Sequence, residues 1–375
     1  MEERGKALRV AIDARMIRYT GIGRYIQNLV LNLASIDKTN SYSILVNEES
    51  EKLERNSNFE FRTTSYRIPV YSLREQSLLP FDMANLKPDI IHYPSFNVPV
   101  ISTRPVVTTI HDLVYYLFPE ACPNAVAHIY ARFLIARAAR LSRKIITVSE
   151  HSKTEITRHL NVSPDKVAVI YNGVSPLYRP VWEPEKLKKV MRKYGISGDY
   201  ILYVGNHQER KNLKRLVSAY SALGSFEKVT LVMAGKVDSR RRGLYEAVDR
   251  SGLSERVRFI GEVPEEDLPA LYSGALLFVF PSLYEGFGLP PLEAMACATA
   301  VVTSNAASLP EVVGDAAVTV DPEDTAAITR AMDGVIKNKD LRERLRARGL
   351  ERTRMFCWET AARKTLKVYE EVYGK

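Results

Sequence analysis

The sequence predicts an α/β protein made of two Rossmann-like, doubly wound domains that face each other across a cleft. Three observations lead there. The chain has 375 residues, more than one hydrophobic core usually serves, and its 46% hydrophobic and 26% charged residues make an ordinary soluble balance. Short apolar, β-branched runs alternate with longer helical patterns, as parallel strands buried on both faces read. The series occurs twice, and Pro176, Pro180 and Pro184 punctuate the chain between the two.

The first series has runs at Leu8–Ile12, Ile44–Val46, Ile90–His92, Val106–Ile110 and Lys144–Val148. The second has Tyr200–Val204, Lys228–Ala234, Val257–Ile260, Leu276–Phe280 and Ala300–Thr303. The expected domains are residues 1–178 and 179–357. From Trp358 to Tyr373, Ala361, Ala362, Leu366, Tyr369 and Val372 fall close to helical spacing, so residues 358–375 read as a final amphipathic helix, assigned to pack back on the first domain. There is no repeat at a period of roughly 20 to 50 residues.

No run approaches the roughly 20 apolar residues that span a bilayer, and the opening Met-Glu-Glu-Arg-Gly-Lys lacks a signal-peptide core, so a cytoplasmic protein is expected. Cys122, Cys297 and Cys357 are too few and too scattered for a disulfide framework or a zinc site, and read as reduced, packed thiols. The formal charge of +9 suits nucleic acid, an anionic membrane surface or phosphorylated substrates, and does not choose among them.

In open parallel sheets, ligands bind beyond the carboxyl ends of the strands, so polar residues that follow an apolar run are the candidates. The segment Pro281-Ser282-Leu283-Tyr284-Glu285-Gly286-Phe287-Gly288-Leu289-Pro290-Pro291-Leu292-Glu293 follows one directly. Gly286 and Gly288 let a backbone approach a ligand, and the prolines suit the first turn of a helix, whose free amides attract phosphate. Glu285 and Glu293 would repel phosphate, so neutral hydroxyls are their sensible partners. Read from the residues alone, Glu293 could equally just favour the helix dipole above a tight glycine turn.

At this segment the sequence resembles the retaining family 4 glycosyltransferases, whose signature is a Glu, seven residues and a second Glu within Glu-Gly-Phe-Gly-Leu-Pro. The likeness continues through Ala300-Val301-Val302 to Leu309-Pro310-Glu311-Val312-Val313-Gly314-Asp315. It implies a glycosyltransferase-B fold in which the C-terminal domain holds a nucleotide-sugar donor. Glu285 would then contact hydroxyls of the transferred sugar, the amides of Gly286, Phe287, Gly288 and Leu289 would meet sugar and phosphate, and Glu293 would bind the ribose. Ala298 and Ala300 stand where the family usually has Gly and Pro. If position 298 is left-handed, Ala there costs roughly 1 kcal/mol.

Gly205-Asn206-His207-Gln208-Glu209-Arg210-Lys211-Asn212 leads from a strand into a helix. Two cations at a helix start oppose its dipole, a cost that makes sense if an anion sits between them; a solvated basic turn reads the same way. The resemblance places Arg210 and Lys211 against the donor diphosphate. Thr109-Ile110-His111-Asp112 ends another strand, and His111 could handle a proton or bind a sugar hydroxyl, or be structural. The resemblance puts His111 beneath the transferred sugar, with Asp112 as its support. Gly21-Ile22-Gly23-Arg24-Tyr25 fails as a dinucleotide fingerprint because Ile26 replaces its third glycine. The family carries a similar element near donor phosphate and acceptor, with Gly23 the best match. Val263, in Gly261-Glu262-Val263-Pro264, is placed near the base. Ser149-Glu150-His151-Ser152 and Asn172-Gly173-Val174 read as structural turns, Ser152 with Glu155 having capping-box spacing.

There is no Asp-x-Asp, His-Glu-x-x-His or Cys-x-x-Cys, so neither a metal nor a cofactor is expected. From Arg132 to Lys144 five cations and no acid interleave with Phe133, Leu134, Ile135 and Leu141, a basic helix that could lie on anionic lipid or be a domain helix with a solvated edge. The expected activity is metal-independent, retaining transfer of a hexose, mannose above all, from GDP-mannose or a related donor to a glycan or lipid-linked acceptor. The sugar preference follows the likeness to bacterial mannosyltransferases. An epimerase on the same fold is the competing enzyme. A basic nucleic-acid-binding protein would interleave aromatic and cationic residues around these motifs, which this sequence does not, so nucleic acid is not an expected partner.

Overall fold

The computed structural model describes residues 7–47, 58–64, 68–223, 229–236 and 242–374. The chain divides into two compact units, Met1–Gly173 with Trp358–Lys375, and Val174–Cys357.

The first unit holds a seven-stranded, all-parallel sheet of order β3-β2-β1-β4-β5-β6-β7. Its strands are β1 (Arg9–Asp13), β2 (Ser41–Val46), β3 (Phe59–Thr63), β4 (Ile90–Tyr93), β5 (Val106–Thr109), β6 (Lys144–Thr147) and β7 (Val167–Val169). Helices α1 (Gly21–Ile36), α2 (Leu73–Asn85), α3 (Val114–Leu117), α4 (Ala125–Leu141) and α5 (Glu150–Leu160) connect them. The central strands are buried along their length, which is why they read as unbroken apolar runs.

The second unit repeats the plan with a six-stranded parallel sheet of order β10-β9-β8-β11-β12-β13. Its strands are β8 (Tyr200–Val204), β9 (Thr230–Ala234), β10 (Val257–Gly261), β11 (Leu277–Phe280), β12 (Val301–Ser304) and β13 (Val318–Val320). Around them run α6 (Pro184–Lys193), α7 (Leu213–Ser221), α8 (Arg242–Arg250), α9 (Leu268–Gly274), α10 (Leu289–Ala296), α11 (Leu309–Val313), α12 (Thr325–Lys337) and α13 (Lys339–Thr353). Lys228, the first residue of one expected run, lies outside the described residues. In each sheet the strand order reverses once, between β1 and β4 and between β8 and β11, so the loops that follow these strands leave the sheet on either side of a crevice.

Helix α14 (Trp358–Tyr373) belongs to the first unit. Its Trp358, Ala361, Ala362, Tyr369 and Val372 share a core with Tyr25, Ile26, Leu29 and Leu33 of α1. Tyr369 also reaches the strand layer, its hydroxyl 2.7 Å from Nδ1 of the fully buried His92, whose Nε2 lies 2.9 Å from Thr109 Oγ1. Burial holds the His92 imidazole down at a pKa of about 3, so it stays neutral.

Local expectations need three corrections. Ser149, not Ser152, caps α5, its side chain accepting from the Ser152 amide, because Ser149 carries the extended backbone of an N-cap. Asp112 supports His111 through its charge rather than through a hydrogen bond that is seen; its carboxylate accepts from the Val114 amide at 3.0 Å and closes the turn into α3. Cys297 is packed, but Cys357 is exposed, because it sits on the turn before α14.

Candidate active site

The loops after β8 and β11 flank the reversal of the second sheet and meet through their side chains and backbone. Arg210 and Lys211 stand in a single 3-10 turn, Glu209–Lys211, ahead of α7. They therefore lie outside the first turn of that helix and do not load its dipole. Asn212 caps the helix in a left-handed conformation (φ 62°), and its amide donates to the carbonyls of Pro281 (3.1 Å) and Pro322 (2.6 Å). The Leu283 amide donates to the Arg210 carbonyl at 2.7 Å.

Glu285 sits between the two cations. One of its carboxylate oxygens, Oε1, accepts from Lys211 Nζ and from Ser282 Oγ (2.6 Å); the other, Oε2, lies 3.1 Å from Arg210 Nη1. Burial alone would raise the Glu285 pKa, but the charges of Lys211 and Arg210 and the two hydrogen bonds to Oε1 hold it down at about 2. The carboxylate is ionised and almost closed off from solvent. Arg210 is the most open member, with 22% of its side chain exposed against 8% for Lys211 and 12% for Glu285. Its guanidinium is aimed by the carbonyl of Tyr284 (2.9 Å) and the side-chain oxygen of Gln208 (3.1 Å). Lys211 Nζ also lies 5.0 Å from the centre of the Phe280 ring.

The glycine loop is pinned from below. Ser308 Oγ lies 2.9 Å from the carbonyl oxygens of both Glu285 and Phe287, and the Phe287 ring meets Phe356 edge-on at 5.7 Å. Gly288 caps α10 at φ 112°, where a Cβ would come within 2.6 Å of Leu309. Only glycine fits both constraints. Leu289, Pro290 and Pro291 then open the helix, while Gly286 is buried in the loop. Glu293 lies further along α10, 3% exposed, and accepts from the Tyr272 hydroxyl at 3.0 Å. Gly205 (φ 155°) and Gly235 (φ 146°) pack so closely that a Cβ on Gly235 would overlap the Gly205 carbonyl oxygen at 1.8 Å. With Gly261 they line the carboxyl ends of β8, β9 and β10, and Val263 follows two residues beyond. Ala298 is left-handed at φ 57°.

In the first unit, His111 follows β5. Its Nε2 donates to the Pro94 carbonyl at 2.9 Å, which leaves Nδ1 as an acceptor for a hydroxyl, and burial lowers its pKa and keeps it neutral. Tyr25 of α1 packs edge-on against the ring at 4.8 Å. Gly23 allows this placement, since a Cβ there would fall 2.5 Å from the Ile17 carbonyl oxygen.

The residues reasoning from sequence missed fall into two groups. Ser282, Ser308 and Asn212 hold the loops after β8 and β11 through side-chain hydrogen bonds, and Ser282 could have been found from its place three residues before Glu285 in the same loop. The other group is a buried ion network at the reversal of the first sheet. Arg15 pairs with Asp13 at 2.7 Å and with Glu75, which also accepts from Asn97 at 2.8 Å.

Residues 188–352 match the family described as Glycosyl transferases group 1, and residues 19–176 match Glycosyltransferase Family 4. An O-antigen chain mannosyltransferase B of Escherichia coli is 32% identical over 97% of this chain and all of its own length. Among solved structures, a sucrose-phosphate synthase from Thermosynechococcus elongatus shares the fold at TM-score 0.80 and 20% identity, covering 98% of this chain and 99% of its own. Anabaena Alr3699/HepE, solved with UDP and glucose, does so at TM-score 0.79 and 19% identity, covering 97% of this chain and all of its own. With the sheet order, the ion cluster and these likenesses together, the chain belongs to the family 4 glycosyltransferases of the glycosyltransferase-B fold, and its curated relatives include bacterial O-antigen mannosyltransferases.

Proposed function

We propose that this glycosyltransferase transfers mannose from GDP-mannose, with retention of the anomeric configuration, to a glycan or lipid-linked acceptor during synthesis of a surface polysaccharide or glycolipid. The observation that carries the reading is the Arg210–Lys211–Glu285 cluster in the crevice outside β8 and β11, where a parallel sheet binds ligands. Two cations beside an ionised carboxylate are what a sugar diphosphate needs, phosphate charge on one side and sugar hydroxyls on the other. The likeness to the O-antigen mannosyltransferase supports mannose.

In this mechanism the bond from the sugar carbon to the diphosphate lengthens, and positive charge develops on the sugar. Arg210 and Lys211 stabilise the departing diphosphate together with the Leu289 amide, since Pro290 and Pro291 in the first turn of α10 carry no N–H, so the step runs without a metal ion. As phosphate draws the cations, Glu285 turns its charge toward the sugar and holds its hydroxyls. The acceptor attacks from the face that the diphosphate leaves, and the phosphate oxygen takes the acceptor's proton. His111, neutral and with Nδ1 open, accepts a hydroxyl of the bound sugar, and Glu293 binds the ribose in place of Tyr272.

A panel of nucleotide sugars, each scored for hydrolysis and for thermal stabilisation of the protein, tests the donor. GDP-mannose should stabilise and turn over fastest, with the transferred mannose α-linked by nuclear magnetic resonance. A stronger response to a UDP-sugar would overturn the donor, and isomerised donor with no released diphosphate would make the protein an epimerase.

A further inference from the structure

A parallel sheet offers a ligand crevice where its strand order reverses, and in the first unit that place lies between β1 and β4. The loops around it carry aromatic rings that reach the surface. Tyr19 lies in the loop after β1, Tyr71 stands two residues ahead of α2, and Tyr115 belongs to α3; they are 50%, 36% and 36% exposed. Tyr71 stacks on Phe96 of the loop after β4 with ring centres 5.5 Å apart, and Phe96 meets Tyr115 at 5.8 Å. The three rings form one row, partly open to solvent.

Tyr71 is held in this row against its backbone preference. Its φ is 64°, a left-handed conformation that bulky side chains avoid and that persists where the surroundings enforce it. The Tyr71 amide donates to Glu75 Oε2 at 2.9 Å, while Oε1 of the same carboxylate pairs with Arg15 and accepts from Asn97, the neighbour of Phe96. The buried ion network thus fixes both partners of the Tyr71–Phe96 stack.

A buried hydroxyl adjoins the row. Ser95 is 4% exposed, and its Oγ makes no well-formed hydrogen bond among the described residues, with the Tyr71 hydroxyl as a polar neighbour. Such a group costs stability unless something outside the fold completes it. Burial and the surrounding oxygens push the Tyr71 hydroxyl's pKa up, so it too is a neutral donor. Pro94, the residue before Ser95, accepts from His111 at 2.9 Å. One turn therefore carries both the anchor of His111 and the unsatisfied hydroxyl.

The mixture of groups selects what fits. A saturated ring with C–H bonds on its faces and hydroxyls around its edge suits tyrosine faces beside a free hydroxyl. An acyl chain would leave Ser95 unsatisfied, and a phosphate would find Arg15 sealed inside its own network.

We infer that Tyr71, Phe96 and Tyr115 form a subsite for a pyranose ring of the acceptor, which stacks on the tyrosine faces and hydrogen-bonds Ser95 Oγ through one of its hydroxyls. The role of that ring as acceptor rests on the proposed sugar transfer, while its binding here holds for whatever donor the second unit uses.

Saturation-transfer nuclear magnetic resonance of the full chain with the methyl α-glycosides of mannose, glucose, galactose and N-acetylglucosamine tests it. At least one glycoside should take up saturation through its ring C–H protons. Tyr71→Gly removes the ring and suits the left-handed backbone, so the thermal midpoint should hold while affinity for that glycoside falls about tenfold. Tyr71→Phe should keep most of the affinity, and Ser95→Ala and Tyr115→Ala should each lose about threefold or more. In transfer assays Tyr71→Gly should raise the KM for the glycoside more than it lowers kcat, with GDP affinity unchanged. Absence of glycoside binding to wild type would overturn the inference, as would wild-type binding by folded Tyr71→Gly and Tyr115→Ala. Glycoside binding that Tyr71→Gly abolishes, in a protein that turns over no nucleotide sugar, would support the subsite and overturn the transfer reading instead.

Discussion

Each sheet of this protein has a guanidinium paired with carboxylate at its strand-order reversal, Arg15 with Asp13 and Glu75 in the first and Arg210 with Glu285 in the second, but the two clusters are built to opposite ends. Arg15 and Glu75 expose none of their side chains and Asp13 exposes 6%, so the charges of the first unit are closed in by α2 and the loop after β4. The Arg210–Lys211–Glu285 cluster keeps 22% of Arg210 and 12% of Glu285 open. A sealed ion network can only hold segments together, whereas one with an open edge can exchange its internal carboxylate for a ligand's phosphate. Ion pairing alone therefore does not mark an active site. Accessibility at the crevice is what sets the second cluster apart.

The sharpest way to break this comparison is to remove one charge from the sealed cluster. Arg15→Met leaves Asp13 and Glu75 buried together without a counter-charge and should cost about 3 to 5 kcal/mol of stability by denaturant unfolding, with GDP affinity of the folded fraction unchanged. Equal loss of GDP affinity would join the two clusters functionally.

Acidification should separate the units next. The folded pKa of His92, about 3, lies below its ordinary 6.5, so the unfolded chain takes up the proton first. Stability from this site is full above pH 6.5 and drains toward pH 3 by up to about 1.4 kcal/mol per unit. Glu285, at about 2 against 4.5, contributes stability that is present above pH 4.5 and is lost as pH falls toward 2. The first unit should weaken first. Fluorescence of buried Trp358 in a Trp182→Phe background, followed from pH 7 to 3, reports it. A flat response down to pH 4.5 would contradict the assignment of His92.

Lys211→Ala should weaken GDP binding by roughly 10- to 100-fold in calorimetry, because a buried charged donor to the diphosphate is lost while Arg210 keeps Glu285 paired. The smallest effect concerns backbone alone. Ala298→Gly should stabilise the protein by about 1 kcal/mol and leave turnover untouched, since it relieves a left-handed alanine.

The same contrast explains what the sequence could and could not reveal. Central strands such as Val106–Thr109 and Leu277–Phe280 are buried on both faces and stood out as apolar runs. The strands that escaped, β3, β7 and β13, all lie at sheet edges. Phe59-Glu60-Phe61-Arg62-Thr63 alternates with solvent, and Val167–Val169 and Val318–Val320 are three residues long, too short to show a period. The open cluster was legible because Arg210 and Lys211 are neighbours and Glu285 sits in a recognisable loop. The sealed one was not, because Asp13, Arg15, Glu75 and Asn97 come from three separate segments that only the fold assembles. Ala298 was read as a departure with a conditional cost, and its φ of 57° meets the condition.

The central claim is that Glu285 serves the sugar while the cations beside it serve the diphosphate, and Glu285→Gln separates the two roles. With the internal carboxylate neutralised, Arg210 and Lys211 are freed for phosphate, so GDP should bind as tightly as to wild type or more tightly. Turnover of GDP-mannose should nevertheless fall by about 100-fold or more. Parallel calorimetry with GDP and turnover with GDP-mannose give both values on one preparation. Unchanged turnover, or a GDP affinity that falls in step with turnover, would contradict the account.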